Sequence, residues 1–224
     1  GSPAPIDFLS LVFCDLILQT AGAQSVFDSP ESRHEAFEAV IGPMARQDGS
    51  YAKTAKSKYG SLYNTFLIIA CMELLGIEPA VPDVTRDFVR SRLREDGGFA
   101  EAAQMRAGGV NPTGAAVALL EILDDRDPAI RETAAGFLQA MRTPEGGFKA
   151  AGRIPFPDLL STFTGLVALR RLTTADSTDR APFRRFAESL ECPGGGFRAG
   201  TWDETPDVEY TFYGLGVLAV LGAA

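Results

Sequence analysis

The sequence predicts an all-α chain: an N-terminal helix followed by four copies of a helix pair, arranged as an α/α toroid whose ring is incomplete or open. Three landmarks in one register predict it. Glycine turns recur as Asp48-Gly49-Ser50-Tyr51, Asp96-Gly97-Gly98-Phe99, Glu145-Gly146-Gly147-Phe148 and Gly194-Gly195-Gly196-Phe197, at steps of 48, 49 and 49 residues. Nine residues before the second residue of each turn (Gly49, Gly97, Gly146, Gly195) stands an apolar residue (Val40, Phe88, Phe137, Phe186), and downstream a threonine keeps the register (Thr65, Thr113, Thr162, Thr211). A fixed period of this length marks an array of units, none of which can bury its apolar face alone. Residues 1–224 are therefore expected to form one domain, with repeats over 31–76, 83–123, 128–172 and 182–222.

The elements follow in order. Ile6 to Ala23 is apolar enough to suggest a secretory signal, but Asp7 and Asp15 interrupt it and no Lys or Arg precedes it, so a buried inner helix over 6–18 is expected. Each repeat then opens with an amphipathic outer helix. Pro128 to Met141 shows the type, with Ile130, Ala134, Phe137, Leu138 and Met141 on one face and Arg131 and Glu132 off it. The glycines should supply positive φ at the end of that helix, and the aromatic residue after them should plug the gap to the neighbouring unit. The second, inner helix is apolar nearly all round, as in Thr162 to Leu172 and Thr211 to Leu221, which suits a helix packed on both flanks and behind. Counted this way there are five inner and four outer helices.

Composition narrows the function. An apolar fraction of 46% with 22% charged residues is enough for a sizeable core, and no stretch reads as a membrane span. The net charge of −8, with no lysine or arginine run longer than two residues, disfavours nucleic acid as a partner. Cys14, Cys71 and Cys192 are odd in number and far apart, which fits a reducing, cytoplasmic setting rather than a disulfide framework. No phosphate-cradling Gly-Lys motif, nucleophile elbow or Cys/His metal cluster occurs.

Pro206-Asp207-Val208-Glu209-Tyr210-Thr211-Phe212 and, one repeat earlier, Pro157-Asp158-Leu159-Leu160-Ser161-Thr162-Phe163 follow Gly-Gly-Phe turns. This pattern resembles the repeat of protein prenyltransferase β subunits. Gln47-Asp48-Gly49-Ser50-Tyr51 is similar to the glycine-aromatic motif of squalene-type terpene cyclases, with Tyr where those usually have Trp. The resemblance spans residues 36 to 222 and implies the toroid fold and an isoprenoid ligand, but no particular activity. In prenyltransferases it implies a zinc site of Asp, Cys and His; here the Asp matches Asp158, while Leu160 and Tyr210 stand at the Cys and His positions. Zinc, and thiol prenylation through it, are not expected; Mg²⁺ would enter only with a diphosphate ligand. In class II cyclases an Asp-Xaa-Asp-Asp-Thr motif supplies the proton donor. Asp207 to Thr211 falls on that motif, with Glu209 at the donor position, so Glu209 and Asp207 are the catalytic candidates. The alternative is structural: Asp158 and Asp207 as N-caps, and Glu209 complementing the helix dipole.

Loops running from the glycine turns to the inner helices carry a combined charge of +4 within this acidic chain. They meet the positive ends of the inner helices, a place for a diphosphate gripped by Lys53, Lys56, Lys149 and Arg153. Tyr63, Phe66, Phe163, Tyr210, Phe212 and Tyr213 are candidates to line an apolar lumen for the isoprenoid, with Trp202 at its mouth and Asp158 among the ligand contacts. Against this, small residues on the inner helices (Gly114, Ala115, Gly165, Gly214, Gly216) could pack the helices tightly and leave no cavity. Two functions follow: an isoprenoid-diphosphate-binding protein without zinc, with acid-initiated cyclisation as its chemistry, or a non-catalytic binding or assembly module. A protein partner or a second copy could complete the ring.

Overall fold

The structure is a computed structural model that describes residues 5–173 and 179–222. Among these residues nine α-helices run in the predicted order: α1 Pro5–Thr20, α2 Pro30–Ile41, α3 Leu62–Leu75, α4 Pro82–Arg90, α5 Val110–Ile122, α6 Pro128–Ala140, α7 Leu159–Leu172, α8 Ala181–Glu188 and α9 Val208–Gly222. A 3₁₀ turn (Gly42–Met44) follows α2, and two short antiparallel strands, β1 Phe148–Lys149 and β2 Pro157–Asp158, precede α7. The chain divides into two compact units, one holding α1 to α4 and Leu119–Asp125, the other Arg92–Ala118 and α6 to α9.

Local chemistry sets the helix starts. Outer helices α2, α4, α6 and α8 each carry Pro in the first two positions (Pro30, Pro82, Pro128, Pro182), where its fixed φ is pre-set and its missing N–H costs nothing. Ser29 and Ser32 close a capping box on α2, Asp127 caps α6, and Ser61 caps α3. The C-termini of the inner helices are capped from outside. His34 Nε2–H donates to Leu75 O at 3.1 Å, Arg86 Nη2 to Leu123 O at 3.0 Å and Arg180 Nη1 to Leu221 O at 3.1 Å, while Arg131 donates to Arg171 O. Each is a donor at the start of an outer helix reaching the last turn of the inner helix of its own repeat. The lone histidine is thus spent on a carbonyl.

The glycine turns lie further along than predicted. Outer helices end six to eight residues earlier, and Gly49, Gly97, Gly146 and Gly195 take φ of +75°, +85°, +98° and +90° inside tight turns, not at the helix ends. In each, the amide before the turn donates to the carbonyl just before the aromatic: Arg46 to Ser50, Arg94 to Gly98, Thr143 to Gly147, Cys192 to Gly196. The aromatic then bridges back to the residue preceding the turn, as in Leu93 with Phe99 and Glu191 with Phe197. Side chains do the plugging as expected. Phe99 and Phe148 are wholly buried, and Phe148 stacks on Phe183 of the next repeat at 5.4 Å. Burying such a ring contributes about 1.5–3 kcal/mol.

The first helix differs from expectation. Phe8, Leu9 and Val12 are buried, but Leu11, Ile17 and Leu18 are 45%, 66% and 53% exposed, so α1 is covered on one side only. Asp15, read from sequence as breaking the apolar run, is itself buried. Burial opposes its charge, but the Val26 N–H, the Ser25 hydroxyl and the Arg33 guanidinium outweigh that and hold its carboxyl below the usual range.

Candidate functional site

The start of each inner helix is built by one device, repeated four times. The threonine of each repeat donates its hydroxyl to the carbonyl four residues back, Thr65 to Ser61, Thr113 to Gly109, Thr162 to Asp158 and Thr211 to Asp207, at 2.6–2.7 Å. The same oxygen accepts the backbone N–H of the aromatic fourteen residues upstream, Tyr51, Phe99, Phe148 or Phe197, at 2.9–3.0 Å. One hydroxyl therefore ties the glycine turn to the helix N-terminus. In the second unit, neighbouring repeats are stitched at the same level: Val110 N–H donates to Ala150 O and Leu159 N–H to Ala199 O, both at 2.9 Å.

That frame places the candidate acids. Asp158 is the N-cap of α7; its Oδ1 accepts from Ser161 N–H at 2.7 Å and its Oδ2 from the Ser161 hydroxyl at 2.8 Å. Burial pushes its carboxyl up against these bonds, which favour the charged form. Asp207 stands before α9 and accepts from Tyr210 N–H at 2.8 Å, the same capping role. Glu209 lies exposed in the first turn, where Tyr213 Oη donates to its Oε1 at 3.0 Å. The phenol of Tyr210 is pushed up by burial first, then by Asp158, Glu209, Asp207 and Asp203. Acids from the starts of two successive inner helices thus all disfavour ionisation of one phenol.

Beside them runs a continuous aromatic face. Tyr210 lies 6.0 Å from Tyr213, Tyr213 lies 5.8 Å from Phe163, and Phe212 closes the group at 5.6 Å from Phe163 and 5.4 Å from Tyr213. Phe163 seats on Gly216, where a Cβ would come within 2.6 Å of the ring. The small residues of the inner helices therefore receive rings in this unit; Gly165 and Gly214 take Phe148 and Phe197 in the same way.

The other candidates belong to segments other than α7 and α9. Lys149 is in β1 with its backbone opposite Pro157, and Arg153 lies exposed in the loop between β1 and β2. Trp202 is 54% exposed, lies over the backbone of Gly200, and pairs with Phe156 at 6.1 Å. In the first unit, Lys53 and Lys56 are exposed and Tyr63 is 51% exposed on α3. Sequence reading left two partners unnamed, Phe156 for Trp202 and Ser161 for Asp158. The three-residue spacing of Asp158 and Ser161 at a helix start was the available signal for the second.

The prenyltransferase zinc set does not fit these residues. Leu160 offers no donor atom, and among the described residues no three His, Cys, Asp or Glu side chains are grouped to hold a metal ion. No described helix is long and apolar enough to cross a membrane.

Comparison with solved structures returns proteins of like fold. A type II terpene cyclase, MstE from Scytonema, superposes with a TM-score of 0.65 at 16% identity over 85% of this chain and 56% of its own. Protein geranylgeranyltransferase-I from Candida albicans, complexed with GGPP, gives 0.59 at 16% over 79% and 52%. ent-Copalyl diphosphate synthase from Streptomyces platensis gives 0.56 at 13% over 97% and 50%. The chain thus spans little more than half the length of these proteins. No curated protein matches it by sequence. Residues 12–153 and again 113–224 match the prenyltransferase alpha-alpha toroid domain, and the two stretches together run from residue 12 to the end. A helix-pair repeat whose every inner helix is tied to its glycine turn by the same threonine belongs, on that match, to the prenyltransferase α/α-toroid domain family.

Proposed function

We propose that this protein binds an isoprenoid chain against the aromatic face of α7 and α9, without zinc. The observation that carries the reading is the unbroken contact of Tyr210, Tyr213, Phe163 and Phe212, with centroids 5.4–6.0 Å apart. Such a face offers apolar area to polyene carbons and π-electron density to any positive charge on them. Geranylgeranyl compounds are the ligands named for several structures of like fold, which sets the chain length to try first. Lys149 in β1 and Arg153 in the loop that leads to β2 and α7 are proposed to take a diphosphate head. Trp202 is proposed as a secondary contact, and Mg²⁺ would come only with the diphosphate.

Binding is favoured over acid-initiated cyclisation on geometry. Both candidate donors, Asp207 and Glu209, are exposed and engaged, one in capping α9 and the other with Tyr213. An alkene demands a far stronger acid than a carboxyl group open to water. Differential scanning fluorimetry decides between ligand chemistries. Geranylgeranyl diphosphate should raise the melting temperature by a few degrees without added zinc, geranylgeraniol by less, and inorganic pyrophosphate not at all. A shift from pyrophosphate equal to that from the full ligand would show an anion site without an isoprenoid site.

A further inference from the structure

One arginine holds the loop after the glycine turn in each of the first two repeats. Arg46 and Arg94, three residues before Gly49 and Gly97, send their guanidinium groups across that loop to carbonyls eight, nine and eleven residues on. The acceptors are Thr54, Ala55 and Ser57 in one loop and Ala102, Ala103 and Met105 in the other, at 2.6–3.4 Å. Bonds from a charged donor are roughly twice as strong as neutral ones. The same positions of the third and fourth repeats hold Thr143 and Cys192, which are too short to cross a loop. Yet all four loops keep one turn: Ser57, Met105, Ile154 and Asp203 each donate N–H to the carbonyl three residues back, at 3.0–3.1 Å.

The fourth repeat has a substitute clamp. Arg198 Nη1 donates to Asp203 O at 3.1 Å, and the Asp203 carboxylate accepts from the Ala199 and Thr205 N–H groups. At the position of Arg198 the third repeat has Lys149. Among the described residues, the hydrogen bonds of loop 150–156 are backbone ones, Ile154 N–H to Ala151 O within it and Val110 N–H to Ala150 O at its edge. This least-tethered loop carries Ile154 and Phe156, 44% and 57% exposed, and Phe156 pairs with Trp202 of the fourth loop. It leads through β2 into α7, and Leu159, the first residue of α7, donates its N–H to Ala199 O where the fourth loop begins. Both loops therefore stand at the starts of the helices that carry the aromatic face. Segments that move over ligands are drawn from the weakly held parts of a fold.

We infer that loop 150–156 is a lid, freed by the loss of the arginine clamp, that brings Phe156 over an isoprenoid chain lying on α7 and α9. The ligand of the lid rests on the isoprenoid reading; the mobility of the loop does not.

Amide exchange read by NMR compares like with like, because Met105 and Ile154 make the same turn bond and differ in the clamp. Corrected for intrinsic rates, Ile154 should exchange at least about tenfold faster than Met105. Arg94→Leu should speed Met105, and Thr143→Arg should slow Ile154, each by about tenfold or more, with the circular dichroism of the parent chain. Equal exchange of the two amides in the parent, or unchanged exchange at Met105 in Arg94→Leu, overturns the lid. Geranylgeranyl diphosphate should slow Ile154 by about tenfold or more and raise the melting temperature. A melting shift without that slowing overturns the lid and leaves the ligand face standing. No melting shift removes the ligand face and the lid with it, even where Ile154 still exchanges faster than Met105.

Discussion

Thr162 holds two buried partners with one oxygen, donating to Asp158 O at 2.6 Å and accepting from Phe148 N–H at 3.0 Å. Removing the hydroxyl leaves that amide buried without an acceptor, a penalty of about 1–3 kcal/mol. Thr162→Val should therefore lower the unfolding free energy in urea by that amount. Thr162→Ser should lose much less, since it keeps both bonds. The threonine was legible in sequence as a periodic landmark; its partner was not, because fourteen residues separate them and only the turn between closes the distance. Asp158 gives a second test through pH. Burial raises its carboxyl, so the folded chain holds the proton more tightly than the unfolded one, and stability falls as pH rises from the ordinary carboxylate range through the raised value. Asp158→Asn keeps a capping oxygen with no charge to bury. It should be more stable than the parent at pH 7, with an advantage that shrinks on acidification, measured by melting temperature across pH 3 to 7. An advantage that grows on acidification would contradict the assignment.

Among elements, the inner helices start three residues before the periodic threonine, because the capping residue stands four before it. Hydrophobic periodicity could not place that start, since the first turn is apolar or capping and lies outside the repeat landmarks. It also misjudged the glycine turns, whose positive φ serves a hairpin-like return rather than a helix end. Helical glycines separate two roles. Gly165 of α7 leaves no room, since a Cβ there would lie 2.9 Å from the fully buried Phe148 ring, whereas at Gly136 of α6 nothing lies within 4 Å. Gly165→Ala should destabilise by about 1–3 kcal/mol through overpacking. Gly136→Ala should instead stabilise by about 0.5–1 kcal/mol through helix propensity. Chemical denaturation of the two variants checks the opposite signs. Asp15 shows how a charge is carried inside an apolar helix: loop donors and Arg33, which the helix's own periodicity does not reveal, make its burial tolerable.

For the whole molecule, the repeat carried the fold assignment, because fixed-period landmarks leave few architectures open and the family match falls on the same stretch. The site was legible only in outline. Aligning the copies showed Leu160 and Tyr210 at positions where a zinc site needs Cys and His, but it could not show that Tyr210, Tyr213, Phe163 and Phe212 would touch. Those contacts depend on how α7 and α9 lean on Gly216, a packing detail below the resolution of periodicity. Isothermal titration calorimetry with geranylgeranyl diphosphate, at several temperatures and without zinc, tests the central claim most directly. Burial of the polyene on this face predicts binding with a negative heat-capacity change, weakened about tenfold or more by Phe163→Ala. Absence of binding heat, or binding indifferent to Phe163→Ala, would contradict it.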